Sequence, residues 1–596
     1  MSENYKQQMK SKFTVFFLII ILGFIIFISI LFYWTKIDRN LPKFITSEAN
    51  FAIRGNIISA DGYVLATSQK LYKAMIDTRN IDPDKKELFI NLYSIYSGDD
   101  KSRVKKIIES KSGNVVLSYR ISSKTAEHLQ ILAKRLFRLG VFVSYKDPET
   151  GNAFLRGMSI VESGEVRSYP YIDTLSPVIG YIKKNEVDSF TRVEGVKGIE
   201  RYYEDRLGPI QDSYLIGNRD ISGAIILNGD SKAKQKIDGQ SIELSIPIKL
   251  QKSVEKILDV AKSDFKAKEV MVIIMRSDTG DILSLATSNR YDINSIKKQD
   301  YPSLNINSVE YTYEPGSVMK PIVYAILLRE NKIDPKELVR TYGGVYKIGK
   351  YTIRDEIKKD WMTAEDVLTY SSNIGMSQLA QRLDGASYHK GLVDFGLGRT
   401  TEIDLSRENK GQIRNSQSLD NKVYKATLSY GYGLNVNFLQ IIRAFNVFNN
   451  NGVMISPKIA SYIVEKSGKK HKIENNSLQN ILSKAQADSI KKTLIKVIYE
   501  GSGRKALVKG LEIGGKTGTA RIASGGSYDK VYNSSFIGFV NDKNKNKYTI
   551  GVLVVEPEVS NYRYYGSQSA APIFKQIIEK MIDEEYLEQD NETSQK

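Results

Sequence analysis

The spacing of hydrophobic and polar positions changes three times along this chain. Residues 13–34, FTVFFLIIILGFIIFISILFYW, hold no charge over 22 positions, enough to cross a hydrocarbon core of roughly 30 Å as a helix. Tyr33 and Trp34 close the run where an interfacial aromatic belt belongs, and no small-residue cleavage site follows, so it reads as an uncleaved anchor. From Arg54 the period shortens to two. RGNIISADGYVLATS alternates about Asp61–Gly62 and predicts a hairpin. Residues 79–138 then take helical spacing with acidic starts and basic ends, in DPDKKELFINLYSIYSG, DKSRVKKIIES and SSKTAEHLQILAKRLFRL. Strand-like pieces resume between Phe154 and Tyr214. This first region reads as mixed and basic, without an evident compact core.

A second change comes near Asp238–Gly239. IKLQKSVEKILDVAKSDFKA predicts an amphipathic helix, EVMVIIMRSDTGDILSLAT two strands joined by an Asp-Thr-Gly turn, and helical stretches follow through residues 315–395. A last strand pair is expected to follow Gly515 and to surround a closing helix in AAPIFKQIIEKMIDEEY. Strands, a helical middle and strands again imply an α+β domain whose sheet is built from both ends of the sequence. The expected organisation is a tail (1–12), a transmembrane helix (13–34), an elongated β-rich or mixed pedestal (35–240), a domain with a central antiparallel sheet flanked by helices (241–586), and a disordered polar tail (587–596).

Composition narrows the chemistry more than the fold. With 41% hydrophobic and 26% charged residues the chain is globular, so disorder of the whole is excluded. A net charge of +18 suits an anionic partner, whether nucleic acid, membrane surface or anionic lipid-linked substrate, without choosing among them. The absence of cysteine excludes thiol catalysis, thiolate zinc sites and a disulfide framework. His128, His389 and His471 lie far apart, so no paired metal ligands are expected, and there is no G-x-x-x-x-G-K-[ST] loop. Lys6, Lys10 and Lys12 precede the apolar run and Lys36, Arg39 and Lys43 follow it, so charge does not orient the helix. The short leading tail and the large following mass favour a cytoplasmic N-terminus with the bulk exported.

Candidate chemistry starts in EPGSVMKPIVYAILL, residues 314–328. Ser317 and Lys320 are helix neighbours at i and i+3, at the mouth of an apolar helix, and could be a nucleophile and its base. The bare S-x-x-K pattern recurs at ten other serines, so only context separates this one. Two further short motifs lie in the same domain. Ser371 and Asn373 of SSN place a hydroxyl and an amide near a helix start, where the plain reading is a cap. Lys516, Thr517, Gly518 and Thr519 combine a cation, two hydroxyls and a glycine where a strand should begin, and the plain reading is a solvated edge.

Taken in order inside one α+β domain, S-x-x-K, S-x-N and K-T-G resemble the motif set of penicillin-binding proteins and serine β-lactamases. RGNIISADGYVLA, RSYPYIDTLSPVIGY and GVKGIERYYEDRLG resemble the N-terminal motifs of class B penicillin-binding proteins, the monofunctional D,D-transpeptidases. YEPGSVMKP, SYGYGLNVNFLQIIRAF, and KTGTA with YYGSQSAAPIF look most like the division-specific FtsI type, whereas IPIKLQ departs from the acidic TID-LQ usual at the domain junction. The resemblance implies a penicillin-binding, serine β-lactamase-like transpeptidase domain behind the pedestal. It implies catalysis by Ser317, Lys320, Ser371, Asn373 and Lys516, substrate binding by Thr517, Gly518 and Thr519, and no metal or organic cofactor.

By that resemblance Ser317 attacks the carbonyl between the two D-alanines of a stem pentapeptide. Its backbone N–H and that of Thr519 form an oxyanion hole, Ser371 relays the proton, and Asn373 orients the peptide. The implied partners are peptidoglycan stem peptides, glycan strands derived from lipid-linked precursors, β-lactams, an FtsW-type glycan polymerase and division complex proteins, with no nucleic acid. The implied location is the inner membrane, single-pass, with the bulk in the periplasm, at the septum. An elongation-specific transpeptidase and a non-catalytic division scaffold are the competing readings. A β-lactamase or β-lactam sensor would not need the long first region, and residues 40–240 hold no acidic glycosyltransferase motif.

Overall fold

The computed structural model describes residues 3–36, 45–148, 151, 153–187, 190–218, 225–229, 231–474, 478–524 and 527–590. The chain divides into two compact units, Met1–Phe51 with Gln211–Ile237, and Ala52–Ile210 with Asp238–Lys596. In the first unit one helix spans Glu3–Lys36, and within its stretch Gln7–Lys36 an 18-residue segment reaches a mean hydropathy of 3.3 with none of that segment buried. A helix this apolar on every side is satisfied by hydrocarbon and not by water. Its few hydroxyls turn inward to its own backbone, Thr14 donating to the Lys10 carbonyl at 2.8 Å and Ser29 to that of Ile25 at 2.7 Å. In the same unit the strand Ile45–Asn50 pairs antiparallel with Ser213–Asn218, which also pairs with Lys232–Lys234.

The second unit opens on the expected hairpin. Ile57–Ile58 pairs with Val64–Asp77 around Gly62, whose φ of +84° is a left-handed conformation that glycine adopts without strain. The three expected helices form as Lys86–Ser97, Lys101–Ser110 and Ser123–Arg138. Two start where a side chain takes up an orphan amide: Asp100 accepts from Arg103 N–H and Ser122 from Thr125 N–H. Contrary to the reading from sequence, this region has a compact core of its own, in which Phe89, Ile90, Tyr93, Leu129 and Leu136 are fully buried. The apolar positions are few per segment, and only the closure of three helices over the strands Val64–Asp77 and Asn114–Ser122 brings them together.

The sheet holding that hairpin also runs across the junction expected near Asp238. Ser241–Leu244 pairs in parallel with Ile57–Ile58 on one side and antiparallel with Ala460–Val464 on the other. A second bond set crosses the same junction. Asp404, buried, accepts the Tyr203 hydroxyl at 2.8 Å and the N–H groups of Ile459 and Ala460 at 2.6 and 2.7 Å.

The central sheet has five antiparallel strands in the order Ile282–Thr287, Glu269–Arg276, Lys547–Val555, Ser527–Asn541, Glu512–Ser524. It is built from both ends of the domain, as expected. Its C-terminal part is three strands and not a pair, with the helix Ala570–Asp583 following them, and KTGT lies inside the edge strand Glu512–Ser524 instead of starting it. Alternation sorts the strand residues: Val270, Val272 and Ile274 face the core under the helices Ile248–Phe265 and Ala570–Asp583. Met271, Ile273 and Met275 face the larger core that surrounds Lys320–Arg329 and Phe438–Asn449. Leu587 is buried in the former core and Asp590 N–H donates to the Gly510 carbonyl at 3.0 Å. The expectation of disorder therefore fails for residues 587–590, while residues 591–596 lie outside the described residues.

Three motifs quoted separately above meet in one buried ion cluster. Glu200 takes Arg54 Nε at 2.7 Å and Arg167 Nε at 2.8 Å, all three side chains being fully buried, and the Tyr169 hydroxyl adds a bond at 3.1 Å. Burial alone would push the Glu200 carboxyl up, but Arg167 and Arg54 together hold it below the ordinary carboxylate range. Removing that one charge takes away the carboxylate paired with Arg167 and leaves Arg54 with Glu204 as its remaining carboxylate. Glu200→Gln is expected to cost about 3–5 kcal/mol of unfolding free energy, measured by denaturant titration, and a loss within experimental error would show that the cluster is not structural.

Candidate active site

Ser317 sits in a tight turn, Gly316–Met319, that leads directly into the helix Lys320–Arg329. Gly316 has φ +64° and its N–H donates to the Gly431 carbonyl at 3.1 Å. A Cβ on Gly431 would lie 2.0 Å from the Gly316 carbonyl oxygen, so two glycines let these loops touch. The helix that follows is buried from Lys320 through Leu327, and it carries Lys320 into the interior with it.

The sequence-predicted residues converge there. Lys320 Nζ lies 3.1 Å from Ser317 Oγ, 3.0 Å from Ser371 Oγ and 2.6 Å from the Ser371 carbonyl oxygen. Burial, and after it the charge of Lys516, hold the Lys320 amine well below the ordinary lysine value, against the pull of Asp355 and Glu356. With one N–H given to the Ser371 carbonyl, a neutral amine has its lone pair available for the Ser317 hydroxyl. Ser371 itself has φ +61°, a left-handed conformation that costs a non-glycine residue of order 1–3 kcal/mol and persists only where the surroundings over-determine it. The surroundings here are the cap of the next helix. Ser372 caps Asn373–Ala380 by accepting from Gly375 N–H at 2.8 Å, and the Asp355 carboxylate accepts from Asn373 N–H at 2.7 Å, Ile374 N–H at 3.1 Å and the Ser372 hydroxyl.

The KTGT strand forms the opposite wall. Thr517 and Thr519 line the cleft, and the Thr519 hydroxyl accepts from Gly566 N–H at 3.1 Å. Gly518 is required by packing: a Cβ there would lie 2.4 Å from Ser535 Oγ, 3.0 Å from Val318 and 3.2 Å from the Pro315 carbonyl oxygen. The Ser317 turn thus docks on bare backbone. Lys516 is fully buried, gives Nζ to the Thr517 carbonyl at 3.1 Å, and is lowered to about 7 by burial, with Glu356 pulling upward.

The cleft measures ≈ 760 Å³ and is lined by Ser317, Ser371, Asn373, Thr517 and Thr519, with Lys320 and Lys516 beneath its floor. Sequence reasoning gave no role to Asp355, Glu356, Ser502, Tyr432 and Tyr532, which share the cleft; Tyr432 lies within the quoted SYGYGLNVN stretch, Tyr532 on the strand Ser527–Asn541, and the others in segments remote from Ser317 in sequence. Among the described residues no group of three or more His, Asp or Glu could hold a metal ion. The arrangement can deprotonate a serine with a desolvated amine, hold an extended chain along an open strand edge, and offer a second hydroxyl for proton transfer.

Comparison with known proteins agrees over most of the chain. The penicillin binding protein transpeptidase domain family matches residues 270–579 and the penicillin-binding protein dimerisation domain family residues 49–244. The peptidoglycan D,D-transpeptidase FtsI of Buchnera aphidicola subsp. Baizongia pistaciae is 29% identical over 95% of this chain and 92% of its own length. The probable peptidoglycan D,D-transpeptidase PenA of Neisseria meningitidis serogroup B is 30% identical over 69% of this chain and 67% of its own. In fold, the chain is similar to penicillin binding protein 2X from Streptococcus thermophilus, at a TM-score of 0.74 and 22% identity, covering 90% of this chain and 80% of that one.

Asp355 is expected to hold Ser371 and Asn373 in place. Asp355→Ala strands two helix N–H groups and a hydroxyl, which should lower stability by about 1–3 kcal/mol in thermal unfolding. An unchanged melting temperature would show that water replaces the carboxylate without loss.

Proposed function

The chain belongs to the penicillin-binding protein transpeptidase family, and on that premise we propose that Ser317 is the acylated nucleophile of a peptidoglycan D,D-transpeptidase that works during septum formation. It is a serine D-Ala-D-Ala transpeptidase that acts on peptidoglycan and binds β-lactams. The observation that carries the assignment of residues is the Lys320 amine, buried without a carboxylate against it and within 3.1 Å of Ser317 Oγ.

In the proposed reaction neutral Lys320 takes the Ser317 proton as Oγ bonds to the carbonyl carbon between the two D-alanines. Backbone N–H groups of Ser317 and Thr519 receive the developing oxyanion; the packing of Gly316 against Thr519, 3.3 Å from a Cβ position to the Thr519 carbonyl oxygen, supports that pairing. The C–N bond then breaks, and the proton passes through Ser371 to the departing D-alanine amine. Asn373 orients the peptide, and Lys516, Thr517 and Thr519 hold the terminal carboxylate by charge and hydroxyl contacts, with Gly518 keeping the strand edge open. An amine of a neighbouring stem attacks the ester, forms the cross-link and returns Ser317. Every step uses side chains and backbone of this chain.

The two lysines give the reaction its pH dependence. Lys320 must be neutral, so acylation rises with pH as it loses its proton. Lys516 must be charged, and because its value is lowered to about 7 it is protonated below that pH and neutral above it, so acylation falls there. Benzylpenicillin should therefore give a bell-shaped acylation profile with its adduct on the EPGSVMK peptide by mass spectrometry. Lys516→Arg should remove the alkaline fall, because a guanidinium does not titrate, and Lys320→Arg should abolish acylation. An adduct elsewhere, or equal losses in the two variants, would overturn the assignment.

The anchor helix Glu3–Lys36 supports a single-pass protein of the inner membrane, with the bulk in the periplasm at the septum. The FtsI name of the Buchnera relative supports the division role, with an FtsW-type polymerase, other division proteins and strands derived from lipid-linked precursors as partners. Depletion, or replacement by Ser317→Ala, should produce filaments that elongate without septa. Rounded or swollen cells would instead assign the chain to elongation, and normal division with Ser317→Ala would make it a scaffold.

A further inference from the structure

A stem peptide of five residues spans about 16 Å when extended, so the sugar that carries it lies outside the cleft that holds its end. Some part of the rim must therefore meet carbohydrate. One stretch of rim presents aromatic rings and cations together. From the cleft wall, where Arg354, Asp355, Glu356 and Ile357 stand, the chain runs directly into a small ribbon in which Leu338–Arg340 pairs antiparallel with Trp361–Thr363.

Alternation gives this ribbon two faces. Val339 and Met362 are buried in the largest core, while Leu338, Arg340 and Trp361 are exposed. Trp361, 54% exposed, is one of two tryptophans in the chain, the other being Trp34 of the anchor helix. The Arg340 guanidinium lies 5.9 Å from the centre of the Trp361 ring and 4.8 Å from that of Tyr342, and Tyr342 stacks on Tyr346 at 4.9 Å. Tyr346 in turn packs against the small core of Ile353, Ile374 and Ala426. The series is held from its inner end and open at the indole. Thr341 fixes the ribbon itself, its N–H donating to the Asp360 carbonyl at 2.7 Å and its hydroxyl to the Lys359 carbonyl at 2.6 Å.

The surroundings are basic. Arg340, Lys347, Lys350, Lys358 and Lys359 form no ion pair among the described residues, and Lys359 lies 4.8 Å from the ring centre of Tyr370, a cleft residue. The face of an indole is negatively polarised and suits the C–H groups of a pyranose ring, while unpaired cations suit the carboxylates that peptidoglycan carries. Because the ribbon continues the wall of the cleft that takes the stem, the polymer bearing that stem is the occupant both features fit. We propose that this face is a carbohydrate platform, on which Trp361 stacks an amino sugar of the glycan strand and Arg340 meets a carboxylate beside it. This rests on the transpeptidase reading above.

The test uses the full-length chain in detergent and two stem-free probes, a tetrasaccharide of alternating N-acetylglucosamine and N-acetylmuramic acid, and uncharged chitotetraose. In a Trp34→Phe chain Trp361 is the sole tryptophan, and its emission should change saturably with either sugar, with a Kd on the order of 1 mM for the muramic tetrasaccharide. Saturation-transfer NMR should show about ten-fold weaker binding of that probe to Trp361→Ala, with benzylpenicillin acylation unchanged. Arg340→Gln should remove the preference for the muramic probe over chitotetraose. Emission indifferent to both sugars, binding unaltered in Trp361→Ala, or a response only to vesicles of anionic lipid overturns the inference, and the transpeptidase reading stands as long as Ser317 is acylated in the same preparation. Absence of that acylation overturns the reading and the inference with it. Should Trp361→Ala fail to fold, the emission titration of the Trp34→Phe chain still decides.

Discussion

An amine buried with no carboxylate in direct contact is the constraint on which the rest of this structure depends. Lys320 has two hydroxyls and one carbonyl around it and is fully enclosed. Taking an ammonium out of water with no ion pair is costly, so burial favours the neutral amine. The chemistry proposed at Ser317 rests on that. So does the architecture: a lysine can be desolvated only if the helix it starts is apolar on all sides and surrounded, and Lys320–Arg329 lies within the largest core of the molecule.

Holding the amine beside the two hydroxyls also demands rigidity from parts of the chain outside the cleft floor. Ser371 points at Lys320 in a left-handed conformation, and the Asp355 carboxylate, from a loop before it, pins the helix that begins two residues later. Gly518 and Gly431 remove side chains where backbones must touch, so the Ser317 turn is held between the KTGT strand and the Gly431 loop. Each device costs conformational freedom locally, and the packed cores on both sides of the sheet offset it.

The pedestal residues are tied into this frame by bonds and not merely by a linker. Ser241–Leu244 carries one sheet across the junction, and Asp404 gathers a tyrosine from one side and two backbone amides from the other. The Arg54, Arg167 and Glu200 cluster then fixes three chain segments of the first region at a single buried charge. Breaking any of these leaves a buried polar group without its partner, which costs more than the bond itself contributes.

Local patterns were legible in the sequence because they depend on neighbours a few residues apart. The apolar run of residues 13–34, the hairpin about Gly62, the three helices between residues 86 and 138, and the pairing of Ser317 with Lys320 all follow from periods of two or 3.6 and from turn residues. The resemblance of three short motifs placed Ser371, Asn373 and Lys516 beside them. What the sequence could not give is whatever depends on closure of the chain over long distances. The separate core of the first region, the position of KTGT within an edge strand, the Asp355 clasp, and the depression of Lys516 to about 7 each arise when segments remote in sequence exclude water from one place. Periodicity reports which face of an element is buried, but burial of a charge and the choice of its partners are properties of the assembled volume, and only the tertiary structure decides them.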